Sequence, residues 1–264
     1  MALSKETLPV LEEFVTVQGE GKNIGLPYYF IRVGGCPLRC NFCDSEYTWK
    51  LDPESLQTTG GVAQRAFEAC NLHNIQWISI TGGEPLLYPQ QLKDMMTAWN
   101  KMSNGRIKVH IETSGRFHDE QVHGMSDLYS VDAKTPCTGE TIEGFFKGMD
   151  KIRSCDQVKC LIHDEDDLVY AHKVNEALDG RCTLVLQPFN ISIHTEHTKN
   201  MTPKLKEHVP VDELGAVQIR RGLSTGLRWL LETFHSRCRN GERWVNTIIT
   251  PQIHVLAYGN TPAT

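Results

Sequence analysis

Three thiols crowd into the stretch VGGCPLRCNFCDSEYTW, at Cys36, Cys40 and Cys43. A C-x3-C-x2-C run is too tight for a disulfide ladder. It is also one ligand short of a structural zinc site, which normally closes with four ligands, often as two C-x2-C pairs. Cys40 and Cys43 have no second pair of that kind, because Cys155 and Cys160 have four residues between them. A complete iron–sulfur site ordinarily uses four thiolates. Three thiolates on a four-iron cluster leave one iron open to a substrate or cofactor, and an open position is what separates catalytic from structural metals. Gly34, Gly35 and Pro37 favour a loop that can wrap such a cluster.

Strands and helices must carry this loop. YYFIRV (28–33), WISI (77–80), IKVHIE (107–112), LYSVDA (128–133), QVKCLI (157–162) and TLVLQP (183–188) read as strands. Each is a near-continuous apolar run, which predicts burial on both faces. Helical periodicity covers 89–102 and 164–178, and a longer helix is expected from about Thr225 to Arg239. The alternation predicts an α/β protein with a parallel sheet of βα units. Ligands gather at the C-terminal ends of such strands. The residues just after them are the cysteine loop, TGGEP (81–85), Thr113–Gly115, Asp132–Lys134 and Phe189–Asn190. Polar strand ends on apolar strand bodies are the pattern of a top-face active site.

The chain has 264 residues, 40% of them hydrophobic, which is enough for a sizeable core, and it reads as one domain, 1–264. The polar stretch 191–213 reads as a solvated insert, with His194, His197 and His208 as loop residues rather than metal ligands. A net charge of −5 gives no electrostatic case for nucleic acid. No apolar run approaches the roughly 20 residues of a membrane span, and the N-terminus lacks a signal peptide, so a soluble cytoplasmic protein is expected. Nine cysteines, an odd number with three clustered, fit reduced thiols. The other six (Cys70, Cys137, Cys155, Cys160, Cys182 and Cys238) read mostly as core packing.

The cysteine spacing, with Phe42 before the third thiol, resembles the radical S-adenosylmethionine superfamily, and TGGEP strengthens the match. In that superfamily three cysteines hold a [4Fe–4S] cluster and the cofactor chelates the fourth iron. The stretch EEFVTVQGEGKNIGLPYYFIRVGGCPLRCNFCDSEYTW (12–49) is similar to the 7-carboxy-7-deazaguanine synthase family through its Q-G-E-G element, F-x-R, and C-D-S after the third cysteine. E-T-S-G (112–115), VKCLIHDEDDL (158–168), LQPFN and PQIHVLAYGN (251–260) extend the likeness, which weakens between about 191 and 243. The resemblance implies a reduced radical-enzyme partial (β/α) barrel of mostly parallel strands, often a homodimer. The implied reaction converts 6-carboxy-5,6,7,8-tetrahydropterin to 7-carboxy-7-deazaguanine and ammonia, using S-adenosylmethionine, Mg2+ and an electron donor such as flavodoxin or ferredoxin.

Roles follow from the same resemblance. Substrate falls to Val17, Gln18, Gly19, Glu20, Arg32 and Thr81. Glu20 accepts from pterin N–H groups, and Arg32 pairs with the substrate carboxylate. S-adenosylmethionine falls to Gly83, Glu84, Glu112, Asp132, Ala133, Lys134, Gln187, Pro188, Phe189 and Asn190. Asp132-Ala133-Lys134 departs from the family's Ser-Pro-Lys. Ser45 matches the Mg2+ ligand, with the neighbouring Asp44 as a competing carboxylate. The tail Asn260–Thr264 is not given the substrate role that chain termini have in some relatives. The competing readings are a glycyl-radical-enzyme activase, against which Q-G-E-G and C-D-S argue, and a non-catalytic iron–sulfur or zinc module, which would not need TGGEP.

Overall fold

The computed structural model describes residues 6–41, 43–188 and 215–253. Phe42, Phe189, Asn190, the polar stretch 191–213 with its histidines, and Asn260–Thr264 lie outside the described residues. The chain builds a nine-stranded sheet in the order β3-β1-β2-β4-β5-β6-β7-β8-β9. β1 (Thr7–Val17) pairs antiparallel with β2 (Pro27–Val33) on one side and with β3 (Leu56–Thr58) on the other. From β2 onward the strands run parallel, in chain order. They are β4 (Trp77–Gly82), β5 (Lys108–Thr113), β6 (Leu128–Ala133), β7 (Gln157–Ile162), β8 (Thr183–Pro188) and β9 (Thr247–Ile249).

Helices α1 (Thr59–Leu72), α2 (Pro89–Ser103), α3 (Glu120–Met125), α4 (Glu165–Leu178) and α5 (Gly215–Arg239) connect the strands. Local chemistry sets several of their ends. Thr58, Asp119 and Asp164 accept hydrogen bonds from the first-turn amides of α1, α3 and α4. Between β6 and β7 the connection carries two 3-10 segments, Pro136–Thr138 and Phe145–Lys151, where a full unit would have an α-helix.

The six expected strands are present, three of them with the expected ends. Both faces are largely buried, as expected, but only one of them is apolar. Side chains alternate along a strand. On β4 to β8 the residues Ile78, Ile80, Val109, Ile111, Val131, Val158, Cys160, Leu184 and Leu186 join one core with Val62, Leu92, Met95, Trp99 and Leu168 of the helices. The opposite face carries Ser79, Thr81, His110, Glu112, Ser130, Asp132, Gln157, Lys159 and Gln187. Register aligns Ser79 with His110, Glu112 with Ser130, and Asp132 with Lys159. The sheet therefore has an apolar outer face and a polar inner one.

Among the described residues no pairing joins β9 to β1, so the sheet is not a closed barrel. The gap is bridged another way. Beyond β9, Ile253 N donates to Gly19 O at 3.1 Å and the Gln252 amide donates to Glu20. Of the six scattered cysteines, Cys70, Cys160 and Cys182 are core, whereas Cys155 and Cys238 are exposed. Core packing thus accounts for only half of them. No described helix is long and apolar enough to cross a membrane.

Candidate active site

The polar inner face lines an open cavity of about 240 Å3. β1 runs antiparallel to β2, so Val17 lies at the N-terminal end of β2, and the residues that follow turn back beneath the sheet. Gln18 N donates to Leu26 O and Gly25 N to Gln18 O, closing the hairpin. Gly21, at φ +67°, lies against the Gln157 amide, where a Cβ would collide. Q-G-E-G therefore plugs the lumen from below.

Two polar clusters grow from this plug. Gln18 Nε2 donates to Glu112 Oε1 at 2.9 Å, and Ser79 and Thr81 donate to the same carboxylate at 3.1 Å each. His110, 1% exposed, lies 3.4 Å from the Gln18 amide through Nδ1. Burial drives its pKa down to about 4 despite Glu112, so it is neutral at pH 7. In the second cluster Lys159 Nζ lies 2.7 Å from Glu20 Oε2 and 3.3 Å from Asp132 Oδ1, and Lys134 Nζ lies 3.3 Å from Asp132 Oδ2. Burial opposes the charge on Lys159, but Asp132, Glu20 and Glu112 together hold its pKa well above the ordinary value. Asp132 is correspondingly held below the usual carboxylate range, its desolvation outweighed by Lys159 and Lys134.

The cysteine loop roofs the cavity and is stitched to TGGEP. Gly83 N donates to Val33 O and Glu84 N to Gly35 O, both at 2.8 Å, and Tyr88 Oη donates to Gly34 O at 2.6 Å. A Cβ on Gly83 would strike the Gly35 carbonyl, so the double glycines let the two backbones meet. On its far side the loop docks on the turn after β6, where Asn41 N donates to Thr138 O at 2.8 Å. Burial raises the pKa of all three thiols, that of Cys43 to about 12, while the Lys134 ammonium draws Cys36 and Cys40 back. Metal coordination deprotonates such thiols outright. Among the described residues, the group of three metal-type ligand atoms within 4.8 Å of one another is His163, Asp164 and Asp167.

Val17, Gln18, Gly19, Glu20, Arg32, Thr81, Gly83, Glu112, Asp132, Ala133, Lys134, Gln187, Ser45, Asp44 and the three cysteines all line the cavity. Arg32 lies with Nε 2.9 Å from Glu12 and its guanidinium 5.3 Å from the centre of the Phe14 ring. The Ser45 hydroxyl donates to Asp44 Oδ1 at 2.7 Å, so both candidate magnesium oxygens are adjacent. Glu84 and Pro188 stand back from the wall. Fully buried, Glu84 accepts from Thr113 Oγ1 at 2.7 Å and Ser114 N at 2.9 Å, which fixes the end of β5. The sequence reading passed over Lys159, His110 and Gln252. A lysine inside QVKCLI and a histidine inside IKVHIE were the available signals, each a polar residue at an alternate position of a buried strand. Gln252 had none.

A family model described as a 4Fe-4S single cluster domain matches residues 17–132. The 7-carboxy-7-deazaguanine synthase of Bacillus cereus is 27% identical, over 96% of this chain and 97% of its own. That of Methanospirillum hungatei is 31% identical, over 71% of this chain and 75% of its own. The chain belongs to the 7-carboxy-7-deazaguanine synthase family. It is accordingly a radical S-adenosylmethionine enzyme with a [4Fe–4S] cluster. The fold agrees with the crystal structure of QueE from Escherichia coli, at a TM-score of 0.58 and 18% identity over 93% of this chain and 94% of that one. The donor set also fits the family's cofactors. Three thiols without a fourth face a cavity whose rim is glycine backbone, open enough for a second ligand to reach the cluster.

Proposed function

We propose that this chain, acting as one radical-enzyme domain over 1–264, is the carbon–nitrogen lyase that converts 6-carboxy-5,6,7,8-tetrahydropterin to 7-carboxy-7-deazaguanine and ammonia. The observation that supports this most is the meeting of the Q-G-E-G plug, Arg32, Thr81 and the cysteine loop around one lumen. When bound, the cluster and S-adenosylmethionine supply a 5′-deoxyadenosyl radical that takes a substrate hydrogen. Cys36, Cys40 and Cys43 hold the cluster. Gly83, Glu112, Asp132, Ala133, Lys134 and Gln187 line the cofactor's place, and Glu84 shapes it from behind by holding Thr113 and Ser114.

The pterin lies lower, on Val17–Glu20, with Thr81 beside it and Arg32 taking its carboxylate as a planar two-pronged donor. Phe14 stacks on that guanidinium and Glu12 restrains it from Nε, so little rotamer freedom is lost on binding. Ser45 would hold a Mg2+ ion, whose contribution would be to orient the substrate ring. A flavodoxin or ferredoxin delivers electrons, and the enzyme works as a homodimer in the cytoplasm. Anaerobic reconstitution followed by turnover of carboxytetrahydropterin with a chemical reductant, dithionite, in place of the electron-donor protein tests this reading. 7-Carboxy-7-deazaguanine, formed without a partner protein, is expected. 5′-Deoxyadenosine formed only with a second protein present would point to an activase.

A further inference from the structure

Lys159 lies in VKCLIHDEDDL but is given no role by the family likeness, and its ammonium sits among the carboxylates of the lumen. Its side chain is 11% exposed, and Nζ meets Glu20 Oε2 at 2.7 Å and Asp132 Oδ1 at 3.3 Å. The other Glu20 oxygen, Oε1, accepts from the Gln252 amide. Gln252 is in turn seated by its neighbour, because Ile253 N donates to Gly19 O at 3.1 Å, beside Glu20 itself. One carboxylate is thus gripped from β7 on one side and from the segment after β9 on the other.

Two further carboxylates of the cavity, Asp132 and Glu112, act on Lys159 together with Glu20. Without Lys159, Glu20 would be a third like charge in a partly desolvated space, and a carboxyl so placed takes up a proton. Ionised, it has about four acceptor positions and can receive two parallel N–H donors while Lys159 and Gln252 hold it. Protonated, it becomes a donor at one oxygen and clashes with one of those N–H groups.

We propose that Lys159, working with Gln252, is a positioning residue that sets specificity. It pins the Glu20 carboxylate as a double acceptor, so the cavity selects a ring bearing a 2-amino-pyrimidinone edge over the same ring with a 2-oxo group. The proposal rests on the role of Glu20 at the pterin. A site built around paired N–H donors rejects a ligand that offers a carbonyl in their place, because two acceptors then face each other.

The test is a fluorescence titration of the full-length holoenzyme with two stable probes, 6-carboxypterin and 6-carboxylumazine. Wild type should prefer the 2-amino probe by at least about tenfold in Kd. Lys159→Met should bring that preference within about threefold, with wild-type iron content, and Lys159→Arg should keep it. In Lys159→Met the preference should also return as pH rises, because Glu20 regains its charge against Asp132 of β6 and Glu112 of β5. Lys134 stays with Asp132, and Gln187 and Gln252 are neutral. A merely structural role would not produce that recovery. If Lys159→Met does not fold, Lys159→Gln makes the same measurement.

A preference unchanged in the neutral variant overturns the proposal alone, as does a lost preference that no pH restores. A wild type that binds neither probe overturns the functional reading and the proposal together.

Discussion

Arg32 offers the sharpest single-residue test of how substrate is held. Its backbone lies in a strand flanked on both sides, and its head reaches the cavity between Phe14 and Glu12. Arg32→Lys keeps the charge but loses the planar fork, so KM should rise about tenfold or more while iron content and substrate-free cofactor cleavage persist. An unchanged KM in Arg32→Ala would remove this role. Ser45 and Asp44 share one hydrogen bond at the cavity edge, and the metal is assigned to the hydroxyl. Ser45→Thr should therefore keep the Mg2+ response of the product to 5′-deoxyadenosine ratio, and Ser45→Ala should reduce it. Loss of the response in Asp44→Asn alone would move the metal to the carboxylate. His110 makes a prediction about stability. Its folded pKa lies below its unfolded value, so the unfolded chain binds the extra proton, and stability falls as pH drops from about 6.5 toward 4. Relative to His110→Gln, wild type should lose about 2 kcal/mol between pH 7.5 and 5 in urea unfolding. Parallel losses in the two proteins would mean that His110 is not buried neutral.

Strands and loops carry a different lesson. The parallel strands were legible because β-branched and apolar residues run together between turn signals, and their ends were marked by the polar residues that reach the cavity. What escaped was the period. W-I-S-I-T, K-V-H-I-E, L-Y-S-V-D and Q-V-K-C-L-I alternate, with one face apolar and one polar, and that alternation belongs to a lumen and not to a sheet covered alike on both sides. β1 was hidden by Glu12 and Glu13 in its middle, β9 by its three-residue length, and α1 by two glycines in its first turn. The glycines of the cysteine loop are legible as loop formers, but only the structure shows that they touch those of TGGEP. Gly83→Ala should force the two backbones apart, because the obstacle is the Gly35 carbonyl and not a movable side chain. Iron content after reconstitution should fall well below wild type. Full reconstitution would mean that the loops do not depend on that contact.

At the scale of the whole molecule, the open sheet gathers its chemistry by enclosing it. The hairpin after β1 floors the lumen, the cysteine loop roofs it, and the segment after β9 spans the gap that strand pairing leaves. Substrate and cofactor then share one cavity with the cluster at its top, which is the central claim. Its most direct test is the fate of one hydrogen. Carboxytetrahydropterin deuterated at its reduced ring carbons is turned over by the reconstituted enzyme, and the 5′-deoxyadenosine is weighed by mass spectrometry. The account predicts deuterium in 5′-deoxyadenosine together with 7-carboxy-7-deazaguanine, and neither when Cys36, Cys40 and Cys43 are replaced by Ala. Unlabelled 5′-deoxyadenosine from the wild type, with no deazaguanine formed, would contradict it.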